Sequence, residues 1–154
     1  MYSNALNALI SELGRLINIP NLKVDETGFC IINYPAMGFS LELTADSSFS
    51  FLKIFLQLGD VNRGRYREEV LHEALRANYL PFPRYGNFGY NSSNNQLVLW
   101  DLLPLKELSA ADLAEYLTKF LPKGFEVKQA LETNTVPSLT AKAAVKTGSL
   151  YGLH

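Results

Sequence analysis

Leu6, Leu9, Ile10, Leu13, Leu16 and Ile17 recur at steps of three and four residues, the spacing that gathers side chains on one face of an α-helix. Asn4 suits the N-cap of that helix and Pro20 its stop. The period then changes. Phe29 to Tyr34 is a short apolar run behind the turn signal Glu26-Thr27-Gly28. Over residues 39–45, Phe39, Leu41 and Leu43 alternate with Ser40, Glu42 and Thr44, which predicts a strand with one wet face. Over residues 50–58, Leu52, Ile54, Leu56 and Leu58 share one face, and Phe51, Lys53, Phe55 and Gln57 the other. That second face is unusually greasy for one turned to water. Short turns between the three strands predict an antiparallel meander.

Helical spacing returns from Arg65 to Tyr79 through Tyr66, Val70, Leu71, Ala74, Leu75 and Asn78, and Pro81 and Pro83 close it. Asn87 to Tyr90, the polar loop 91–95 and Gln96 to Leu103 read as a hairpin. Its second strand is apolar on both faces except at Asp101, which reads as a strand-end cap. Such a strand needs cover on both sides, and in a short chain a second subunit can supply the second cover. Ser109 and Asp112 form a capping-box pattern ahead of Leu113, Ala114, Leu117, Phe120 and Leu121. Pro122 is expected to end or kink that helix, with a further turn or two over residues 125–132. The order of elements, α-β-β-β-α-β-β-α, predicts an α+β two-layer sandwich of three helices on a sheet of about five strands. Residues 1–134 form the expected single domain, and 135–154, rich in Thr, Ser, Ala and Lys, a loosely ordered tail.

Composition narrows the function. With 154 residues, 14 Lys+Arg against 15 Asp+Glu, and pI ≈ 6.1, the chain has no basic excess of the kind nucleic-acid binders carry. One cysteine, Cys30, excludes an intrachain disulfide and a cysteine-based zinc site, and a single free thiol fits the reducing cytoplasm. No apolar run approaches the length of a membrane span, and the N-terminus lacks the order of a signal peptide.

Catalytic signatures are missing from the sequence. It contains no P-loop, no H-E-x-x-H, no G-x-G-x-x-G and no G-x-S-x-G. His72 beside Glu68, Glu69 and Glu73 reads as a solvated helix face before it reads as a ligand set, and His154 ends the chain. Cys30 lies in an apolar strand and reads as a buried structural thiol. Asp25-Glu26 reads as turn chemistry. Arg63, Arg65 and Arg67 are the one basic cluster, and the glutamates that follow make that surface mixed in charge. What stands out is apolar surplus: 12% of residues are aromatic. Phe51, Phe55, Tyr79, Phe82, Tyr85 and Trp100 stand where a monomer would expose them, unless the helices and tail cover them. Exposed apolar patches of this kind mark interfaces.

The motifs, taken in order, resemble the class I type III secretion chaperones, the Tir-chaperone (CesT-like) family. The likeness runs over residues 4–132. It takes in the first amphipathic helix, the meander and the helix ending Leu75-Arg76-Ala77-Asn78-Tyr79-Leu80. Gly89-Tyr90 with its polar loop follows, then Leu97-Val98-Leu99-Trp100, Leu102-Leu103-Pro104-Leu105 and the Leu113, Leu117, Phe120 spacing. The resemblance implies a cytoplasmic bacterial homodimer without enzymatic activity or cofactor. Such a dimer binds the N-terminal segment of secreted effectors, holds it extended and delivers it to the export machinery, whose ATPase is a further partner. Carried over to this chain, it implies dimer contacts at Leu75, Tyr79, Val98 and Trp100. It likewise implies effector contacts at Ile17, Phe29, Phe39, Leu41, Phe51 and Phe55. Most chaperones of the family it resembles are strongly acidic and this chain, with pI ≈ 6.1, is not, which favours apolar and strand contacts over charge. Two other readings stay open: a homodimeric adaptor for a folded partner, and a small ligand-binding α+β domain.

Overall fold

The computed structural model describes residues 4–81 and 83–139. Helix α1 (Asn4–Leu16) buries Leu6, Ile10 and Leu13. It ends before Pro20, in a Schellman turn. Asn18 takes the left-handed conformation at φ 61°, Ile19 N–H returns to Gly14 C=O at 2.8 Å and Asn18 N–H to Arg15 C=O at 3.4 Å. Asparagine tolerates that backbone, so the helix stops two residues before proline would force it.

Strands β1 (Phe29–Tyr34), β2 (Phe39–Ala45) and β3 (Phe51–Asp60) form the antiparallel meander. Aspartates fix the loop into β1 and the β2–β3 turn: Asp25 Oδ1 accepts from Thr27 N–H at 2.8 Å and Phe29 N–H at 3.0 Å, and Asp46 Oδ1 from Ser50 and Phe51 N–H at 2.7 and 2.8 Å, while in the β1–β2 turn Tyr34 C=O accepts from Met37 and Gly38 N–H at 3.0 and 2.9 Å. Helix α2 (Arg65–Ala77) follows, then β4 (Asn87–Asn91) and β5 (Gln96–Pro104). The sheet order is β1-β2-β3-β5-β4. The hairpin is therefore inserted with β5 against β3, placing the strand that is apolar on both faces in the interior and the shorter β4 at the edge.

Helix α3 (Ala110–Glu132) starts with the capping box: Asp112 N–H donates to Ser109 Oγ at 3.0 Å, and Asp112 Oδ2 accepts from Ser109 N–H. It runs through Pro122 without ending. Pro122 lacks an N–H for the Thr118 carbonyl, but both residues lie on the exposed side, where water can take that carbonyl. Leu113, Leu117, Phe120, Leu121, Val127 and Leu131 on either side of the proline are buried, and this packing holds one helix across the break. Together α1 and α3 cover one face of the sheet, facing Cys30, Ile32, Phe39, Leu41, Leu43, Leu52, Ile54, Leu56, Leu58, Leu97 and Leu99. Asp101 sits within β5 rather than at its end, and its Oδ2 accepts from the Tyr116 hydroxyl of α3. Burial and that carboxylate push the Tyr116 hydroxyl well above the usual phenol range.

The chain stays attached past residue 134. Thr135 N–H donates to Ala130 C=O at 2.9 Å, Tyr66 Oη donates to Thr135 C=O at 2.9 Å, and Leu139 packs against the core. Residues 140–154, most of the expected tail, lie outside the described residues, as do Phe82 and His154.

Candidate functional site

Two helices are enough to cover only one face of a five-stranded sheet. On the other face the register sets side chains in rows. Ile31 of β1 stands beside Glu42 of β2, Glu42 beside Phe55 of β3, and Phe55 beside Trp100 of β5. In the next row Phe29 neighbours Thr44, Thr44 neighbours Lys53, and Lys53 neighbours Leu102. Phe51 opposes Pro104 at the end. Ile31, Phe51 and Leu102 are exposed, and Phe29, Phe55 and Trp100 half-buried. Lys53 lies 5.3 Å from the Phe55 ring centroid, an arrangement that holds its ammonium against an aromatic face.

The same face continues towards α2 through Gly89. A Cβ there would stand 3.2 Å from Val98 Cγ2 and 3.5 Å from Trp100 Nε1. Glycine thus lets both side chains lie across β4. Beyond it a groove of about 130 Å³ is lined by Leu71, Ala74, Leu75, Asn78, Gly89 and Tyr90, among others. Leu75 of α2 and Tyr79, just past its C-cap, project into solvent at 60% and 89% exposure. Two arginines of the basic cluster are paired on the fold. Arg65 pairs with Glu69 at 3.1 Å, and Arg67 Nη1 donates to Tyr90 Oη and Asn95 Oδ1, each at 3.2 Å, tying α2 to the β4–β5 loop.

The backbone edges differ. On β1, Phe29 turns its N–H and C=O outward, where Asp25 takes both, through Oδ1 at 3.0 Å and N–H at 2.8 Å. By alternation Ile31 and Asn33 also turn their backbone groups outward. On β4 the outward residues are Phe88 and Tyr90. Asn78 takes both groups of Phe88, and α2 lies alongside Tyr90. The approach to β4 is pinned by Lys123, whose Nζ donates to Arg84 C=O at 2.6 Å and Gly86 C=O at 3.1 Å. Burial, and then the Arg84 charge, draw that ammonium down to about 8.

The residues implied by the family resemblance sort unevenly. Leu75, Val98 and Trp100 converge around Gly89, with Tyr79 one helical turn beyond Leu75. Phe29, Phe51 and Phe55 share the open face with Val98 and Trp100, where Glu42, Thr44, Lys53 and Gln57 stand among them. Phe39 and Leu41 do not belong to it. Both are buried beneath the helices, because the β2 alternation that put Ser40, Glu42 and Thr44 on the open face puts these two in the core. Ile17 is half-buried in the turn after α1 and packs against the core. Ile31 and Leu102 also belong to the open face; the largely apolar runs FCIINY and LVLWDLLP hide which alternate positions face out. Asn78 was visible only as part of a motif.

Catalytic chemistry finds little footing. Cys30 is buried, and desolvation, aided by the Asp25 charge, pushes its thiol up to about 11, away from the nucleophilic thiolate. His72 is exposed on α2. Among the described residues no group of three His, Cys, Asp or Glu is placed to hold a metal ion, and no helix is long and apolar enough to cross a membrane.

The family model described as the Tir chaperone protein (CesT) family matches residues 8–123. No curated protein matches the chain. Among solved structures, the HopA1-SchA chaperone-effector complex contains a chain that is 17% identical with a TM-score of 0.67, over 82% of this chain and 94% of that one. The Yersinia pestis type III secretion chaperone SycH, in complex with a stable fragment of YscM2, is 18% identical with a TM-score of 0.62, over 77% and 95%. The ExoT-SpcS complex from Pseudomonas aeruginosa gives 17% identity and a TM-score of 0.60, over 79% and 96%. At these identities the structural likeness speaks for the fold.

Proposed function

The chain belongs to the Tir chaperone protein (CesT) family, and from that premise we propose that it is a type III secretion chaperone. It binds the N-terminal segment of one or more secreted effectors in the bacterial cytoplasm, keeps that segment extended and presents it to the export apparatus and its ATPase. The observation that carries this reading is the aromatic-rich sheet face holding Phe29, Ile31, Phe51, Phe55, Trp100 and Leu102, left uncovered by helices α1 to α3 beside a β1 edge whose closure by Asp25 stops at Phe29. An unfolded segment has no core of its own. It gains by laying apolar side chains on that face, and its backbone can pair with the outward groups of Ile31 and Asn33. Ordering such a segment costs several kcal/mol, so the exposed apolar area is the resource that makes binding favourable. The similar structures that hold effectors or fragments beside chaperones of this fold support the same reading.

Two copies pairing through Leu75, Tyr79, Val98 and Trp100 would double the surface along one effector chain, raising affinity without new contact types. The protein acts by binding and not by catalysis. The test is affinity purification of the tagged chain from a bacterium with an injection apparatus, followed by limited proteolysis of whatever is retained. A protected stretch near the N-terminus of a secreted protein is the expected result. A folded domain, held and protected as a whole, would replace the chaperone reading with that of an adaptor.

A further inference from the structure

A sheet with two edges offers two places for an extended chain to add, and here the two are finished differently. On β4, Phe88 N–H donates to Asn78 Oδ1 at 2.8 Å and Asn78 Nδ2 donates to Phe88 C=O at 2.9 Å. These are the two bonds that one residue of a neighbouring strand would supply. A primary carboxamide can imitate it because it carries donor and acceptor side by side. Asn78 is held in place as the C-cap of α2, its own N–H returning to Ala74 C=O at 3.1 Å, while Val70, Ala74 and Ala77 fix the helix in the core. On β1 the equivalent closure by Asp25 reaches only Phe29 and stops short of Ile31 and Asn33.

We propose that Asn78 is an edge plug: its side chain stands in for a sixth strand on β4 and directs strand addition by an extended partner to β1 alone. This rests on the reading that the partner binds as an added strand. The plug acts where it is most needed. The β4 edge borders the apolar groove lined by Leu71, Leu75 and Gly89, and an unpaired edge beside apolar surface is a template for indiscriminate pairing.

The test exploits carboxylic acid chemistry. In Asn78→Asp the carboxylate still accepts from Phe88 N–H but sets its second oxygen against Phe88 C=O. The protonated acid regains a donor there. The plug should therefore open at neutral pH and close again below about pH 4, a reversal that Asn78→Ala lacks. The probe is a spin-labelled peptide of about seven alternating Thr and Val residues, of strand length. It is read by paramagnetic broadening of amide signals in the full-length protein. Wild type is expected to broaden at Ile31 and Asn33 and to stay sharp at Phe88 and Tyr90. Asn78→Asp should broaden at Phe88 and Tyr90 at neutral pH and lose that broadening in acid, whereas Asn78→Ala keeps it throughout. Asn78→Ala, which leaves the Phe88 N–H without its acceptor, should exchange that amide at least about tenfold faster at neutral pH.

Sharp Phe88 and Tyr90 signals in both folded variants would overturn the plug, leaving α2 itself as the cover. Broadening of β4 in wild type would overturn it as well. If β1 never broadens while β4 opens in the variants, the plug stands and the β1 docking reading falls. Should neither variant fold, wild type decides at peptide concentrations that saturate β1: a sharp β4 supports the plug, and a broadened one refutes it.

Discussion

The two faces of the sheet make opposite demands, and substitutions on each should separate stability from binding. Ile31, Phe51 and Leu102 on the open face keep 45%, 41% and 43% of their surface in solvent. If an effector segment covers them, it buries what amounts to somewhat more than one whole large side chain. Full burial of such a side chain contributes about 1.5–3 kcal/mol. The triple variant Ile31→Ser, Phe51→Ser, Leu102→Ser should therefore lose about 2–4 kcal/mol of binding, roughly thirtyfold to several-hundredfold in Kd. Its fold should hold, since these side chains contribute little to the core. Leu41→Ala is the counterpart. Leu41 has no exposed surface, so truncation removes about 2–5 kcal/mol of stability and leaves the affinity of the folded fraction within about twofold.

Urea unfolding and titration with the protected effector fragment measure the two quantities on the same preparations. A triple variant that binds within a factor of about two of wild type would refute the open-face assignment. A Leu41→Ala chain of wild-type stability that binds far more weakly would return Leu41 to the contact surface.

Other expectations are narrower. Leu75→Asp with Tyr79→Ser should leave far-UV circular dichroism unchanged and halve the mass of the proposed dimer seen by light scattering, because both side chains are exposed, one on α2 and one just past its end; a mass unchanged from wild type would count against a dimer held through these residues. Gly124→Ala adds a favourable helix former, worth about 1 kcal/mol, but its Cβ would stand 2.7 Å from Leu56 Cδ1 and 3.3 Å from Leu58 Cδ2. Overpacking of this kind costs about 1–3 kcal/mol, so the urea midpoint should fall, and a rise would mean that α3 and the sheet have slack. The Cys30 thiol titrates near 11 when folded and near 9 when unfolded. Its contribution is complete below about pH 9 and lost as pH rises towards about 11, because the unfolded chain sheds that proton first. Cys30→Ala should flatten the decline of stability over that interval, and equal slopes would show that the thiol is accessible to solvent in the fold.

What could be read from the chain follows from the range of each interaction. The alternation in β2, the capping box at Ser109 and Asp112, and the polar hairpin loop are local, and each stands where the pattern put it. At Pro122 the helix does not end, because the local rule against proline in a helix is opposed by buried residues on both sides of it, a contest decided only in three dimensions. Pro20 misled in the other direction, since Asn18 had already turned the chain. Strand order was out of reach for a related reason: the pairing of β3 with β5 is a long-range choice, and only the double apolar face of β5 hinted that it belongs inside.

The candidate site shows the same division more sharply. Alternation alone separates Leu41 from Phe51 across the sheet, and it is the family resemblance that had gathered them into one surface. Which face is left open depends on where α1 and α3 settle, and those two helices have apolar stripes sufficient for one face only. Five strands give two faces and two edges; among the described residues α1 and α3 cover one face, Asn78 closes Phe88 on the β4 edge and Asp25 closes only Phe29 on the β1 edge. The covered face is written in many residues and was legible. The closed edge depends on a single carboxamide meeting a backbone ten residues away, a contact that leaves no periodic trace. Without the β4 closure, the same apolar face would present a second edge and lose its direction.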